Sequence, residues 1–245
     1  MTLNKAIGVI DAPSNRKQIA KIEEAGMTVL RFPELIVSRA SNPHEVLGSH
    51  GALTDFDWIV FEDIYAADFF LETLHESETD LFVLDSLIVC GLGEAVVDRL
   101  RFVQVHTDVI PPRRDDQTVL ETIGNYVFDD DAFRSSRLLY IKGENSGNTL
   151  SEKLGSMVRE IVSVNIYTDG GIAGLDRSRL MTLLRSGAID EFRFYSPEDV
   201  ESILAISKPD SIVRTLDGIN ISSGDAVTFQ TLRENGLTPV LKNSW

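Results

Sequence analysis

The 245-residue sequence predicts an α/β protein built as two similar parallel-sheet domains. Two observations carry this. Short runs of β-branched and aromatic residues alternate with amphipathic helical segments, the signature of βαβ units. The order then repeats: residues 57–61 (DWIVF) match 190–194 (DEFRF), and 93–96 (GEAV) match 224–227 (GDAV), at nearly equal separation. A repeat that long is a duplicated α/β unit rather than a solenoid period.

The elements follow in order. Residues 6–10 (AIGVI) read as a strand ending at Asp11. A helix carries Ile19, Ile22 and Ala25 on one face and closes at Gly26. Residues 27–38 read as a second strand interrupted by Pro33, and 56–61 as a third. A helix over 65–74 buries Ala66, Phe69, Phe70 and Leu74. The run 81–90 reads as a strand, followed by a helix through Leu100, a strand over 101–105 and a helix over 117–128. Asp129, Asp130 and Asp131 read as an acidic connector.

The second half repeats the scheme, with a strand and loop over 137–147, a helix over 149–160 and a strand over 161–167. Strand 191–195, helix 197–205, strand 218–221, helix 227–234 and strand 237–241 complete it. The first half continues into the 117–128 helix. The second carries no covering helix after its last strand.

Composition narrows the function classes. A net charge of −15 argues against nucleic acid or an anionic membrane as partner. The apolar runs are too short to span a bilayer, and no export signal is visible, so the expected location is cytoplasmic. Cys90, the one cysteine, sits in an apolar run and reads as an inert core thiol. Four histidines, His44, His50, His75 and His106, are scattered without metal-ligand spacing, so no metal site is expected. Gly91-Leu92-Gly93 begins a dinucleotide-binding pattern, but Val96 stands where its third glycine belongs. No nucleophile elbow or phosphate loop is present. Such a protein works by shaping its ligand.

In parallel α/β sheets ligands settle beyond the carboxyl ends of the strands. The corresponding loops are 11–15, 62–65, 91–94, 143–148, 167–171, 196–197 and 222–225. Each also has a plainer reading, with Ser14, Asp63, Ser196 and Ser223 as helix caps or near-caps.

The paired junctions 56–71 (FDWIVFEDIYAADFFL) and 189–204 (IDEFRFYSPEDVESIL), with NIYTD and 219–241, resemble the uroporphyrinogen-III synthase family. The resemblance implies two α/β domains joined by a two-strand linker, with a cleft between them. One domain comprises residues 1–37 and 170–245, the other 38–169. It implies cyclisation of a linear tetrapyrrole, hydroxymethylbilane, with inversion of the last pyrrole ring. The reaction passes through an azafulvene and a spiro intermediate, needs no cofactor, and is carried out by a monomer. Tyr167 would be the catalytic general acid toward the departing hydroxyl. Asp63, Ile64, Gly91, Glu94, Lys142, Gly143, Ser196, Ser222, Ser223 and Gly224 would border the substrate. Charge-balancing groups for the substrate carboxylates would come from Arg16, Lys17, Arg113, Arg114, Lys142 or Arg193.

The sequence departs from the family in one direction. Glu62-Asp63-Ile64 replaces a hydroxyl-rich junction, Glu94 and Asp225 stand at hydroxyl positions, and Asp11 replaces an arginine. The alternative is therefore a non-catalytic relative acting as a binding or partner module. A receiver-like domain with Asp63 as phosphoacceptor and a periplasmic-type binding protein fit less of the pattern.

Overall fold

The computed structural model describes residues 5–40, 51–170, 177–207 and 209–242. The chain divides into two compact units, one from residues 1–36 and 170–245, the other from 37–169.

The first unit holds a five-stranded sheet, ordered β10-β9-β8-β1-β2, whose neighbours all run parallel. Its strands are β1 (Ala6–Ile10), β2 (Thr28–Phe32), β8 (Glu191–Phe194), β9 (Asn220–Ser223) and β10 (Val240–Leu241). On one face lies α1 (Arg16–Glu24), whose Ile19 and Ile22 pack on Ile7 and Val9. On the other lie α7 (Arg177–Arg185), α8 (Pro197–Leu204), α9 (Pro209–Leu216) and α10 (Ala226–Glu234). Their apolar stripes meet Ile10, Phe32, Phe192 and Phe194. Gly8 has no side chain because the Phe192 ring lies over it, 2.6 Å from where a Cβ would sit.

The second unit holds the sheet β3-β7-β6-β4-β5. The strands are β3 (Val37–Arg39), β4 (Trp58–Phe61), β5 (Ile88–Gly91), β6 (Arg137–Gly143) and β7 (Glu160–Asp169). All pairs are parallel except β3 with β7. The alternation of a strand buried on both faces is visible in WIVF. Ile59 and Phe61 face α2 (Ile64–Glu76) and α3 (Glu94–Phe102). Trp58 and Val60 face α4 (Asp116–Tyr126), α5 (Asp130–Ser135) and α6 (Thr149–Gly155). Burying one such side chain, for example Phe70 at 0% exposure, contributes about 2–3 kcal/mol.

Several expectations are corrected. The single strand expected over 27–38 is two strands in different sheets, separated at Pro33, which has no N–H for a ladder. The 81–90 strand is mostly a 3-10 helix, Leu81–Ser86, started by the Asp80 carboxylate accepting from Phe82 N–H. No strand forms over 101–105. Arg101 and Phe102 are the last residues of α3, and Gln104 turns the chain at φ +65°. The neighbour of β5 there is a single bridge from Cys90 to Val109. The acidic connector is helical, because Asp129 caps α5 by accepting from the N–H groups of Asp131 and Ala132. The helix expected over 149–160 stops at Gly155, and β7 starts at Glu160. Helix α9 carried no expectation. Gly171, His44 and His50 lie outside the described residues.

Candidate functional site

In the second unit, the strand ends gather Asp63, Gly143 and Tyr167. Strand β4 ends at Phe61, and α2 starts two residues later with Asp63 as its cap. The Asp63 Oδ1 accepts from Ala66 N–H at 2.7 Å, which satisfies one of the helix's unpaired donors. The other oxygen, Oδ2, accepts from the Tyr167 hydroxyl at 2.5 Å. Asp63 and Tyr167 are each 6% exposed.

Tyr167 reaches this position through an irregularity in β7. Lys142 pairs with Asn165, but Gly143 pairs with Tyr167, so Ile166 is an extra residue. The bulge breaks the alternation, so that consecutive Ile166 and Tyr167 are both buried. The ring stacks on Phe69 at 6.0 Å and tilts against Tyr65 at 5.8 Å. Gly143 makes room: a Cβ there would lie 2.6 Å from the tyrosine Cζ and 2.8 Å from its hydroxyl oxygen.

The neighbouring acid is engaged in the same way. The Tyr140 hydroxyl donates to Glu62 Oε1 at 3.1 Å, and Arg114 donates to the Glu62 carbonyl at 3.2 Å. Burial holds the Glu62 carboxyl above the usual carboxylate range, opposed by Ser146, Arg114, Tyr140 and Lys142. Burial and Glu62 push the Tyr140 phenol upward. Two adjacent acids thus accept from tyrosines on adjacent strands.

The other expected residues of this unit are placed as follows. Ile64 opens α2 and is buried. Gly91 ends β5, its N–H donating to Val109, with Val96 and Thr107 packed beside it. Glu94 is the first residue of α3, after Gly93 at φ +109°, and pairs with Arg101 at 3.5 Å. Lys142 is 3% exposed, and its ammonium donates to the Ser146 and Gly147 carbonyls at 3.1 Å and to Asn148 Oδ1 at 2.5 Å. It closes the 143–148 loop.

In the first unit, Ser196 caps α8 by accepting from Asp199 N–H at 3.4 Å. Asp199 is 2% exposed and accepts from Asn15 Nδ2 at 2.8 Å and Tyr195 N–H at 2.8 Å. The same Asn15 amide donates to the Ile10 carbonyl at 3.1 Å, tying the β1 end to the start of α8. Burial raises the Asp199 carboxyl to about 6. Ser223 and Gly224 lie at the β9 end, but Asp225 is the cap of α10, accepting from Thr228 N–H at 2.8 Å. The cap is thus Asp225, two residues after Ser223, and Ser14 likewise makes no cap, lying inside the short 3-10 helix Pro13–Asn15 before α1. Ser222 donates to Glu191 Oε1 at 2.6 Å. Glu191, 1% exposed, also pairs with Lys5, with Arg193 at 3.0 Å and with Lys242 at 2.5 Å. Burial would raise this carboxyl, but Lys242, Lys5, Ser222 and Arg193 hold it at about 2.

Sequence reasoning missed the Glu62–Tyr140 pair, the Asn15–Asp199 tie and the Glu191 cluster. A signal for the last was available: EFRF places charges at the positions of Trp58 and Val60 in WIVF. Among the described residues, no group of three or more His, Cys, Asp or Glu side chains is arranged to hold a metal.

The fold and these strand-end loops define a two-unit α/β protein with mostly parallel sheets. The chain belongs to the uroporphyrinogen-III synthase family: the model for uroporphyrinogen-III synthase HemD matches residues 17–243. No curated protein sequence matches it. Among solved structures, it is similar to uroporphyrinogen III synthase of Thermus thermophilus, at TM-score 0.65 and 16% identity, covering 97% of this chain and 92% of that one. A second crystal form of the wild-type Thermus thermophilus enzyme gives TM-score 0.66 at 16% identity, covering 97% of this chain and 91% of that one. At this identity the likeness shows the fold.

Proposed function

We propose that this protein is a uroporphyrinogen-III synthase, closing hydroxymethylbilane with inversion of the last pyrrole ring. The observation that carries the reading is the family match over 17–243. The strand-end geometry is compatible with it. The strand-end loops around Ser196 and Gly224 in one unit, and around Glu94 and Gly143 in the other, are where a ligand held by shape would settle. Tyr167 is the general acid of this scheme, passing its proton to the departing hydroxyl as the C–O bond breaks. In the structure the Tyr167 hydroxyl donates its hydrogen bond to Asp63 Oδ2, so Asp63 orients the phenol and competes with a ligand as its acceptor. The reaction needs no redox step, and the protein works in the cytoplasm as a monomer.

A second reading, a non-catalytic relative serving as a binding module, is favoured by that same hydrogen bond and by the engagement of Lys142 within its own loop. Kinetics on hydroxymethylbilane separate the two. Tyr167→Phe should lower kcat at least about 10²-fold with the fold intact. Unchanged kcat removes Tyr167 from the chemistry.

A further inference from the structure

Lys142 lies next to the end of β6, buried at 3% exposure. A buried charge persists only when its hydrogen bonds are satisfied. All three ammonium protons find acceptors: the Ser146 and Gly147 carbonyls at 3.1 Å and Asn148 Oδ1 at 2.5 Å. Each acceptor belongs to the loop that follows β6. Strand alternation sets Lys142 on the face of Leu138 and Tyr140, whereas Tyr167 packs with Leu139 and Ile141 on the other. Lys142 thus faces away from the phenol. The same loop nevertheless grips β7 where the ladder shifts register. Glu144 N–H donates to the Tyr167 carbonyl at 2.8 Å, and the Asn145 amide donates to Asp169 Oδ1 at 2.9 Å and to its carbonyl at 3.2 Å. Gly143, the first residue of the loop, lies against the Tyr167 ring.

We propose that Lys142 is a positioning residue for Tyr167: by fastening the 143–148 loop from inside, it holds the bulged stretch of β7 that aims the phenol at Asp63. The consequence for the reaction rests on the proposed function, in which Tyr167 is the proton donor. A bulge leaves one residue unpaired and disrupts the ladder around it, so its geometry depends on bonds supplied from outside the ladder. Here those bonds come from Glu144 and Asn145, in the segment whose far end Lys142 holds. With its three protons used in this way, the ammonium has none left for a ligand carboxylate. It acts through the loop backbone.

The test is carbon NMR of the full chain labelled at tyrosine Cζ. Tyr167→Phe identifies the Tyr167 signal among the five tyrosines, and Asp63→Asn sets the direction in which it moves when the hydrogen bond weakens. Lys142→Met, which keeps the buried stem, should move the signal the same way. It should also lower kcat on hydroxymethylbilane at least about tenfold, with KM within about threefold. Lys153→Met removes an exposed lysine of α6 paired with Asp116, and should leave the signal in place and kcat within about twofold. Where Lys142→Met does not fold, Asn148→Ala, which removes one of the three acceptors, takes its place, with a smaller movement in the same direction. An unmoved signal in the folded variant, an equal movement in Lys153→Met, or a moved signal with unchanged kcat in an active enzyme overturns the positioning role. Turnover by the wild-type chain keeps the two ideas apart. No type III product alongside a signal that depends on Lys142 sinks the synthase reading alone. Type III product alongside an unmoved signal sinks the positioning role alone.

Discussion

The Tyr167 hydroxyl donates to Asp63 Oδ2 at 2.5 Å, and the other oxygen of that carboxylate caps α2. One side chain therefore fixes both the start of a helix and the orientation of a buried phenol on β7, two strands away from β4. Asp63→Ala removes both bonds and should lower unfolding free energy by about 2–3 kcal/mol in urea titrations. Tyr167→Phe leaves the cap in place and should cost about 1–2 kcal/mol. Equal effects of the two substitutions would contradict the dual role.

Gly143 is the space into which Tyr167 packs. Gly143→Ala should destabilise the protein by about 1–3 kcal/mol through overpacking. It should also shift tyrosine near-ultraviolet circular dichroism, because the ring must move. A variant as stable as the parent, with an unchanged spectrum, contradicts the close approach.

The buried carboxylates of the first unit predict two pH windows of opposite sign. Burial raises Asp199 to about 6, above its unfolded value of about 4. Its contribution is present below pH 4 and lost as pH rises through about 6, since the folded state holds the proton longer. Two pH units correspond to roughly 3 kcal/mol as an upper figure. Asp199→Asn should flatten the stability profile between about pH 4 and 6, and an unaltered slope contradicts the assignment.

Glu191 works the other way. Burial opposes ionisation, but the cations around it lower the group to about 2. Its stabilisation is present above about pH 4.5 and lost as pH falls through about 2. Glu191→Gln leaves Arg193, Lys5 and Lys242 facing a neutral amide and should cost about 3 kcal/mol at pH 7. Retained stability at pH 7 contradicts the claim that this carboxylate organises the cluster.

Cys90 is fully buried, and burial raises its thiol to about 12. In the native protein at pH 8 it should resist thiol reagents and react only after denaturant is added. Rapid native labelling would place it elsewhere.

The alternation of short apolar runs and helical stripes made the α/β class and most elements legible, because each strand and helix carries its own period. The misses arose where tertiary context overrides local pattern. Leu81-Phe82-Val83-Leu84 is apolar enough for a strand, yet the Asp80 carboxylate starts a 3-10 turn. Arg101 to Val105 has β-type residues, yet Leu100 anchors the helix and Gln104 turns the chain after it. The acids at 62 and 63 were legible as a departure, but not their meaning. Their partners, Tyr140 and Tyr167, come from strands far along the chain, and Tyr167 is brought inward by a bulge that period-2 reasoning cannot see.

The central claim is the cyclisation with ring inversion, and product-resolved turnover of hydroxymethylbilane tests it most directly. The type III isomer of uroporphyrinogen should dominate with the wild-type chain and fall toward the spontaneous type I product with Tyr167→Phe. Type I product alone from the folded wild-type protein would contradict it.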